Sequence, residues 1–280
     1  MGQPIIVVDA FTDRPFAGNP AAVCVLAAPA GEDWMRAVAR EMNLSETAFL
    51  HPEGDGYRLR WFTPTVEVKL CGHATLASAH VLWQSGREPV TGELRFHTLS
   101  GPLGARQGAD GLIVLDFPAK AVAACPAPAG LAAALGVEPR WLGRNDMDFL
   151  AELPSAADVR ALRPNLQALA GLPMRGIMVT AAADAPPYDF ISRFFAPGAG
   201  VNEDPVTGSA HTALGPFWAE RLGKRELHAY QASARGGWMR VSVRGPRVHL
   251  AGHAVSVTRG EILAGPEALA PADRGDAVTR

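Results

Sequence analysis

The sequence predicts an α+β protein built from two pseudo-symmetric halves, each with one main helix among several mostly antiparallel strands. Three observations lead there. First, a segment occurs twice: Arg60-Trp61-Phe62-Thr63-Pro64 is echoed by Arg193-Phe194-Phe195-Ala196-Pro197. Second, Glu67-Val68-Lys69-Leu70-Cys71-Gly72-His73-Ala74 is echoed, in the same order, by Glu203-Asp204-Pro205-Val206-Thr207-Gly208-Ser209-Ala210. The offsets are 133 and 136 positions, so a three-residue difference in the intervening loop brings both pairs into register. Third, each copy runs on into an alanine-rich apolar stretch. A repeat this long exceeds any solenoid unit. It suggests two related half-molecules facing each other across a cleft.

Taken in order, Pro4 to Asp9 is an Ile/Val run that fits a buried strand. Gly18-Asn19-Pro20 marks a turn, and Ala21 to Leu26 reads as the returning strand. In Glu32 to Met42, Trp34, Val38 and Met42 recur at helical spacing, with acids in the first turn and Arg36 and Arg40 later. Thr47 to His51 and Tyr57 to Phe62 carry the β-branched and aromatic content of strands. Gly72 introduces a helix to about Gln84, with Gly86 as its terminator. Strands are expected at Glu93 to Thr98, Gly104 to Gln107 and Leu112 to Phe117.

Proline and alanine accumulate from Pro118 to Gly130, which sets the halves at residues 1–118 and 119–280. The last residues of the second half are expected to pack back on the first. Leu131 to Trp141 suits a short helix followed by a strand. Gly176 to Ala181, Tyr188 to Phe195, Trp238 to Val243 and Arg247 to Ala251 read as strands. The second main helix runs from Gly208 to about Leu222, closed by Gly223.

Composition excludes several classes of function. Hydrophobic residues make up 48% and charged residues 19% of 280, ordinary for a globular chain with a sizeable core. A formal net charge of −2 gives no electrostatic reason to expect nucleic acid or an anionic membrane as partner. No apolar run approaches the roughly 20 residues of a spanning helix, and no basic-then-apolar leader pattern opens the chain. The three cysteines, Cys24, Cys71 and Cys125, lack metal-ligand spacing and fit a reducing, cytoplasmic setting. No dinucleotide or phosphate-loop fingerprint is present, so no cofactor and no metal are expected.

The repeated helix starts are the first candidate site. Gly72 and Gly208, the latter with Ser209, would offer unpaired backbone N–H groups and positive dipole ends to a carboxylate. Each glycine would serve equally well in a tight strand-to-helix turn; duplication favours the ligand site. Glu46, in Ser45-Glu46-Thr47 at a strand start, is suited to shuttle a proton if that edge faces the cleft. His73 sits at a helix start, where the dipole disfavours a cation and favours a neutral imidazole. Asp204 reads as a turn or cap residue, or as a group that holds a substrate amine or hydroxyl.

Five stretches together resemble the PhzF-like (phenazine biosynthesis F-type) isomerases. They are Val8-Asp9-Ala10-Phe11-Thr12 with Phe16-Ala17-Gly18-Asn19-Pro20-Ala21-Ala22-Val23, then Ser45-Glu46-Thr47-Ala48-Phe49 and Cys71-Gly72-His73-Ala74-Thr75. Glu203 to His211 and Gln231-Ala232-Ser233-Ala234-Arg235-Gly236-Gly237 complete the set. The resemblance covers nearly the whole chain. It implies the diaminopimelate-epimerase-like fold, in which each half is a curved sheet or barrel around a central helix. It implies Glu46 as acid/base, with His73 and Asp204 lining the same pocket. Asn19, Ser45, Gly72, Gly208 and Ser209 are then candidate substrate contacts.

One departure narrows the chemistry. Epimerases of this fold carry a cysteine at each helix start, whereas this chain has Cys71 at one and Thr207 at the other. A threonine hydroxyl is too weak an acid and base to replace a thiol near neutral pH. The expectation is therefore a cofactor-independent isomerase acting on a small carboxylate-bearing amino or hydroxy compound, with a homodimer as its assembly. Epimerase or lyase chemistry on the same fold, or a non-catalytic small-molecule-binding protein, are the other readings.

Overall fold

In the computed structural model, which describes residues 2–269, the chain passes twice through one order of elements. The first half contains β1 (Gln3–Ala10), β2 (Asn19–Val25), α1 (Glu32–Met42), β3 (Glu46–Glu53) and β4 (Gly56–Phe62). It continues through β5 (Glu67–Val68), α2 (Gly72–Gln84), β6 (Leu94–Thr98), β7 (Gly101–Gln107) and β8 (Ile113–Pro118). The second half opens with β9 (Ala123–Ala124), α3 (Leu131–Leu135), β10 (Trp141–Arg144), β11 (Asp148–Glu152), α4 (Ala156–Ala161) and α5 (Leu166–Ala170). Next come β12 (Gly176–Ala182), β13 (Phe190–Ala196), β14 (Val201–Asp204) and α6 (Gly208–Leu222). The described chain closes with β15 (Glu226–Gln231), β16 (Gly237–Arg244), β17 (Arg247–Gly252) and β18 (Ala254–Ile262). Of the last residues, expected to pack against the first half, β18 pairs antiparallel with β1, and residues 270–280 lie outside the described range.

Strand pairing reads the same from either end. It runs from β18 through β1, β2, β3, β4, β6 and β7 to β8. It then crosses to β17 and returns through β16, β15, β13, β12, β11 and β10 to β9. The junction of the halves is the antiparallel β8–β17 pair, with Leu115 opposite Leu250. The parallel pairs β2–β3 and β4–β6 recur as β11–β12 and β13–β15, and the other pairs are antiparallel. This is an α+β architecture with a large mixed sheet and few helices.

The repeat survives down to side chains. Arg60 grips Glu67 through Nε and Nη2 at 2.7 Å each, and Arg193 grips Glu203 through the same atoms at 2.6 and 2.8 Å. The guanidinium of Arg60 lies 5.0 Å from the Phe62 ring centre, and that of Arg193 lies 4.9 Å from Phe195. The three-residue insertion of the second copy falls between Pro197 and Glu203, where the chain makes a 3₁₀ turn at Pro197–Ala199.

Helix α2 is buried on nearly every side, as a helix without a polar face must be. It shares one core with α6, packed inside both halves of the sheet. The amphipathic α1 instead covers an outer face, setting Trp34, Met35 and Val38 against Phe49 and Phe62. In α6, Pro216 has no N–H to reach the Thr212 carbonyl, which accepts from Lys120 N at 3.0 Å instead. Among the described residues no helix is long and apolar enough to cross a membrane.

Candidate active site

Parallel strands begin at the same edge of a sheet, so β2 and β3 deliver Asn19 and Glu46 to one place, with Ala21 opposite Glu46. Gly18 makes the turn before Asn19: its φ is +64°, and a Cβ there would lie 2.2 Å from the Ala10 carbonyl oxygen. The start of α2 brings Cys71 and His73 to that edge. The second half supplies Asp204 from the end of β14, Thr207 from the α6 start, and Gln231 from the end of β15.

A buried network joins them. Asn19 Nδ2 donates to Asp204 Oδ1 at 2.7 Å and to the Val206 carbonyl at 2.9 Å, and lies 3.2 Å from His73 Nδ1. The Asp204 carboxylate and the Val206 carbonyl take both amide hydrogens and fix the amide orientation, so the contact with His73 Nδ1 does not select the imidazole's tautomer. His73 Nε2 stands 3.1 Å from Glu46 Oε2. The alignment falls short of a good hydrogen bond, and Glu46 Oε2 is buried with a lone pair free, as is Asn19 Oδ1. Thr207 Oγ1 donates to Asp204 Oδ2 at 2.6 Å. Gln231 accepts from Thr207 N at 2.9 Å and donates to the Asp204 carbonyl at 2.6 Å.

These contacts shift the protonation of the cluster. Burial works against a charged His73, as does the helix start; the Glu46 carboxylate beside it, and Cys71 once its thiol ionises, push its pKa well above the ordinary histidine value. The neutral imidazole expected from the dipole alone is therefore not what the tertiary structure favours. Burial, with a smaller push from Glu46 and against the pull of His73, raises Asp204 to about 6. Burial raises the Cys71 thiol to about 11, so it stays protonated and unreactive near neutral pH.

Sequence spacing disclosed no metal set, but the fold gathers one: ligand atoms of Glu46, Cys71 and His73 all lie within 4.8 Å of one another. Carboxylate, thiol and imidazole together are donors a zinc ion accepts. The Cys71 Sγ lies 3.5 Å from His73 Nδ1 and 4.0 Å from Nε2. Coordination there would require the thiol to lose its proton.

Of the sequence candidates, Asn19, Glu46, His73 and Asp204 converge. Gly72 and Gly208 meet at the centre, where a Cβ on either would stand 3.3 Å from the other's Cα. Their lack of a side chain thus admits the opposite helix. Ser45 is half-buried in the bend before β3. Ser209 meets Arg175, whose Nη2 is 3.4 Å from its Oγ. The sequence did not single out Gln231 or the Thr207 hydroxyl, although both lie in the motif stretches.

The repeat also shows what the second half lacks. Thr47 pairs with Phe62 and Ile177 with Phe195, so the counterpart of Glu46 is Gly176. A Cβ at Gly176 would fall 2.5 Å from the Phe194 ring, which leaves no room for a carboxylate. The counterpart of Asp204 is Val68, because each pairs with the aromatic after the gripping arginine. One acid/base end is thus assembled from unlike residues of the two copies.

Comparison with known proteins agrees with this architecture. Residues 8–260 match the PhzC-PhzF family model, described as phenazine biosynthesis-like protein. An uncharacterized isomerase of Halalkalibacterium halodurans is 52% identical over 268 residues, which cover 94% of this chain and 99% of that protein. The crystal structure of a PhzF-family protein from Enterococcus faecalis is similar with a TM-score of 0.89 and 42% identity, covering 93% of this chain and 99% of that one. A hydroxyproline epimerase from Agrobacterium vitis shares the fold alone, at 13% identity and a TM-score of 0.61 over 93% of this chain and 92% of its own.

Proposed function

The chain belongs to the phenazine biosynthesis-like (PhzC-PhzF) family, and on that premise we propose that it is a cofactor-independent isomerase working by general acid/base catalysis. Its substrate is a small carboxylate-bearing amino or hydroxy compound, and a proton moves from one atom of it to another. The observation that carries this reading is the free lone pair on buried Glu46 Oε2, set 3.1 Å from His73 Nε2. The isomerase name of the Halalkalibacterium halodurans relative supports the reaction class.

In this mechanism Glu46 Oε2 takes a proton from an activated C–H, and the electron pair left behind passes into the substrate's adjoining π-system. The cation favoured at His73 stabilises the charge that develops. Glu46, now protonated, returns the same proton to a second carbon, and its carboxylate is restored. Asn19 Oδ1 accepts a hydrogen bond from an amino or hydroxyl group, while Asp204 holds the Asn19 amide in place. Thr207 is engaged by Asp204 and Gly176 occupies the counterpart of Glu46, so neither of these two positions supplies a second base. That disfavours a two-base epimerase.

The reading includes a cytoplasmic setting and a homodimer. It is tested by solvent exchange: a panel of small amino and hydroxy carboxylates is incubated with the protein in D2O and followed by NMR. Deuterium incorporation that disappears in Glu46→Gln supports it. Incorporation unaffected by that change, or tight binding of a panel member with no exchange, refutes it.

A further inference from the structure

We propose that the cavity at Arg175 is an oxyanion-binding end of the same cleft, which takes a carboxylate carried by the substrate away from the carbon that Glu46 deprotonates. The inference rests on the isomerase reading for its substrate but on separate residues for its site. The cavity measures about 360 Å³, of the size that small-molecule sites occupy. Arg144, Asn145, Asp146, Asp148 and Arg175 contribute to its wall.

Arg175 is held for recognition. Asp148, with a side chain 3% exposed, accepts from its Nε at 2.8 Å and also from its Nη2. The guanidinium also lies 5.5 Å from the centre of the Phe194 ring. Among the described residues Nη1 has no partner, and the side chain keeps 37% of its exposure. A pre-oriented fork with free N–H groups is what a carboxylate binds bidentately. Asp148 neutralises one cation and Lys120 neutralises Asp146 at 2.9 Å, which leaves the positive charge of Arg144 in excess.

The repeat ties this cavity to the acid/base cluster. Since Glu46 corresponds to Gly176, Ser45 corresponds to Arg175; likewise Gly72 corresponds to Gly208, and His73 to Ser209. Arg175 and Ser209 touch, Gly208 abuts Gly72, and His73 follows Gly72 directly. The cavity and the Glu46 cluster therefore flank a single junction of helix starts, one cationic and the other able to carry protons. A substrate spanning the junction would be fixed by its carboxylate at one end and worked on at the other.

The test uses inorganic sulfate and succinate as probes, titrated by calorimetry into the intact wild-type protein, Arg175→Gln, the double variant Asp148→Asn/Arg175→Gln, and Glu46→Gln. The double variant leaves no buried carboxylate unpaired, so it preserves the test if the single variant fails to fold. Affinity for both probes should fall about tenfold or more in each folded Arg175 variant and persist in Glu46→Gln. Unchanged affinity in a folded Arg175 variant overturns the site, as does absence of binding to the wild type. Failure of deuterium exchange alongside Arg175-dependent binding would instead remove the isomerase reading and leave this site standing.

Discussion

Gly72 and Gly208 touch where the two halves join, each so placed that a Cβ on one would stand 3.3 Å from the Cα of the other. Contact that tight cannot absorb a methyl group without a shift of one helix start against its twin. Gly72→Ala or Gly208→Ala should each lower stability by about 1–3 kcal/mol through overpacking, despite alanine's better helix propensity. Urea denaturation would measure it. The double substitution should depart from additivity, because both methyl groups compete for the same space. Additive, near-neutral effects would contradict the contact.

Glu46→Gln keeps the shape beside His73 but removes the proton carrier. Turnover on a substrate identified by the exchange panel should fall about 10²–10⁴-fold, with ligand affinity changed little. A fall of less than about tenfold would take the acid/base role away from Glu46.

Cys71→Ala should be mild by comparison, since burial holds the thiol at about 11 and thus protonated. Activity within a few-fold of wild type, measured in the presence and absence of a chelator, is the expected result. Complete loss would indicate thiol chemistry, and chelator-sensitive turnover would indicate a metal held by Glu46, Cys71 and His73.

Two buried groups should tilt stability with pH in opposite directions. Asp204 keeps its proton up to about 6 in the fold, mainly because it is buried, whereas the unfolded chain releases it near ~3.9. The unfolded state then binds fewer protons than the folded one between those values, so this group makes stability fall as pH rises through that window. Burial lowers His211 to about 4, against an unfolded value near ~6.5, and its Nδ1 lies 2.8 Å from the Thr207 carbonyl. Here the unfolded state binds more protons, and stability rises with pH from about 4 to about 6.5. Asp204→Asn should therefore steepen the rise and His211→Asn should reveal the fall. Urea midpoints across that range provide the readout; parallel profiles for all three proteins would refute the assignment.

The paired clamps Arg60–Glu67 and Arg193–Glu203 permit a comparison within one molecule. Arg193 is 8% exposed at its side chain and also donates to the Leu162 carbonyl at 2.7 Å, while Arg60 is 22% exposed and shares Glu32. Arg193→Met should therefore cost more stability than Arg60→Met, because it strands a more buried partner set. Thermal denaturation of both variants would settle the order.

Much was legible along the chain. The duplicated order, the ends of α1, α2 and α6, and the chain positions of Glu46, His73 and Asp204 all follow from local signals: helical periodicity, glycine terminators, and motifs repeated at a near-constant offset. Elements without such signals were not. Helices α4 and α5 have six and five residues, too few to establish a period, and β14 spans four. Only the tertiary structure decided that Glu46 and Asn19 share an edge with Asp204, 158 positions beyond Glu46 in the sequence, because parallel strand starts and the junction of halves are long-range arrangements. It alone turned the histidine expected to be neutral towards the cation, through a carboxylate that no local spacing places beside it. It also decided the asymmetry of the cleft: a ring packed against Gly176 excludes a second Glu46, and a buried aspartate at position 148 turns the counterpart of Ser45 into an oriented arginine.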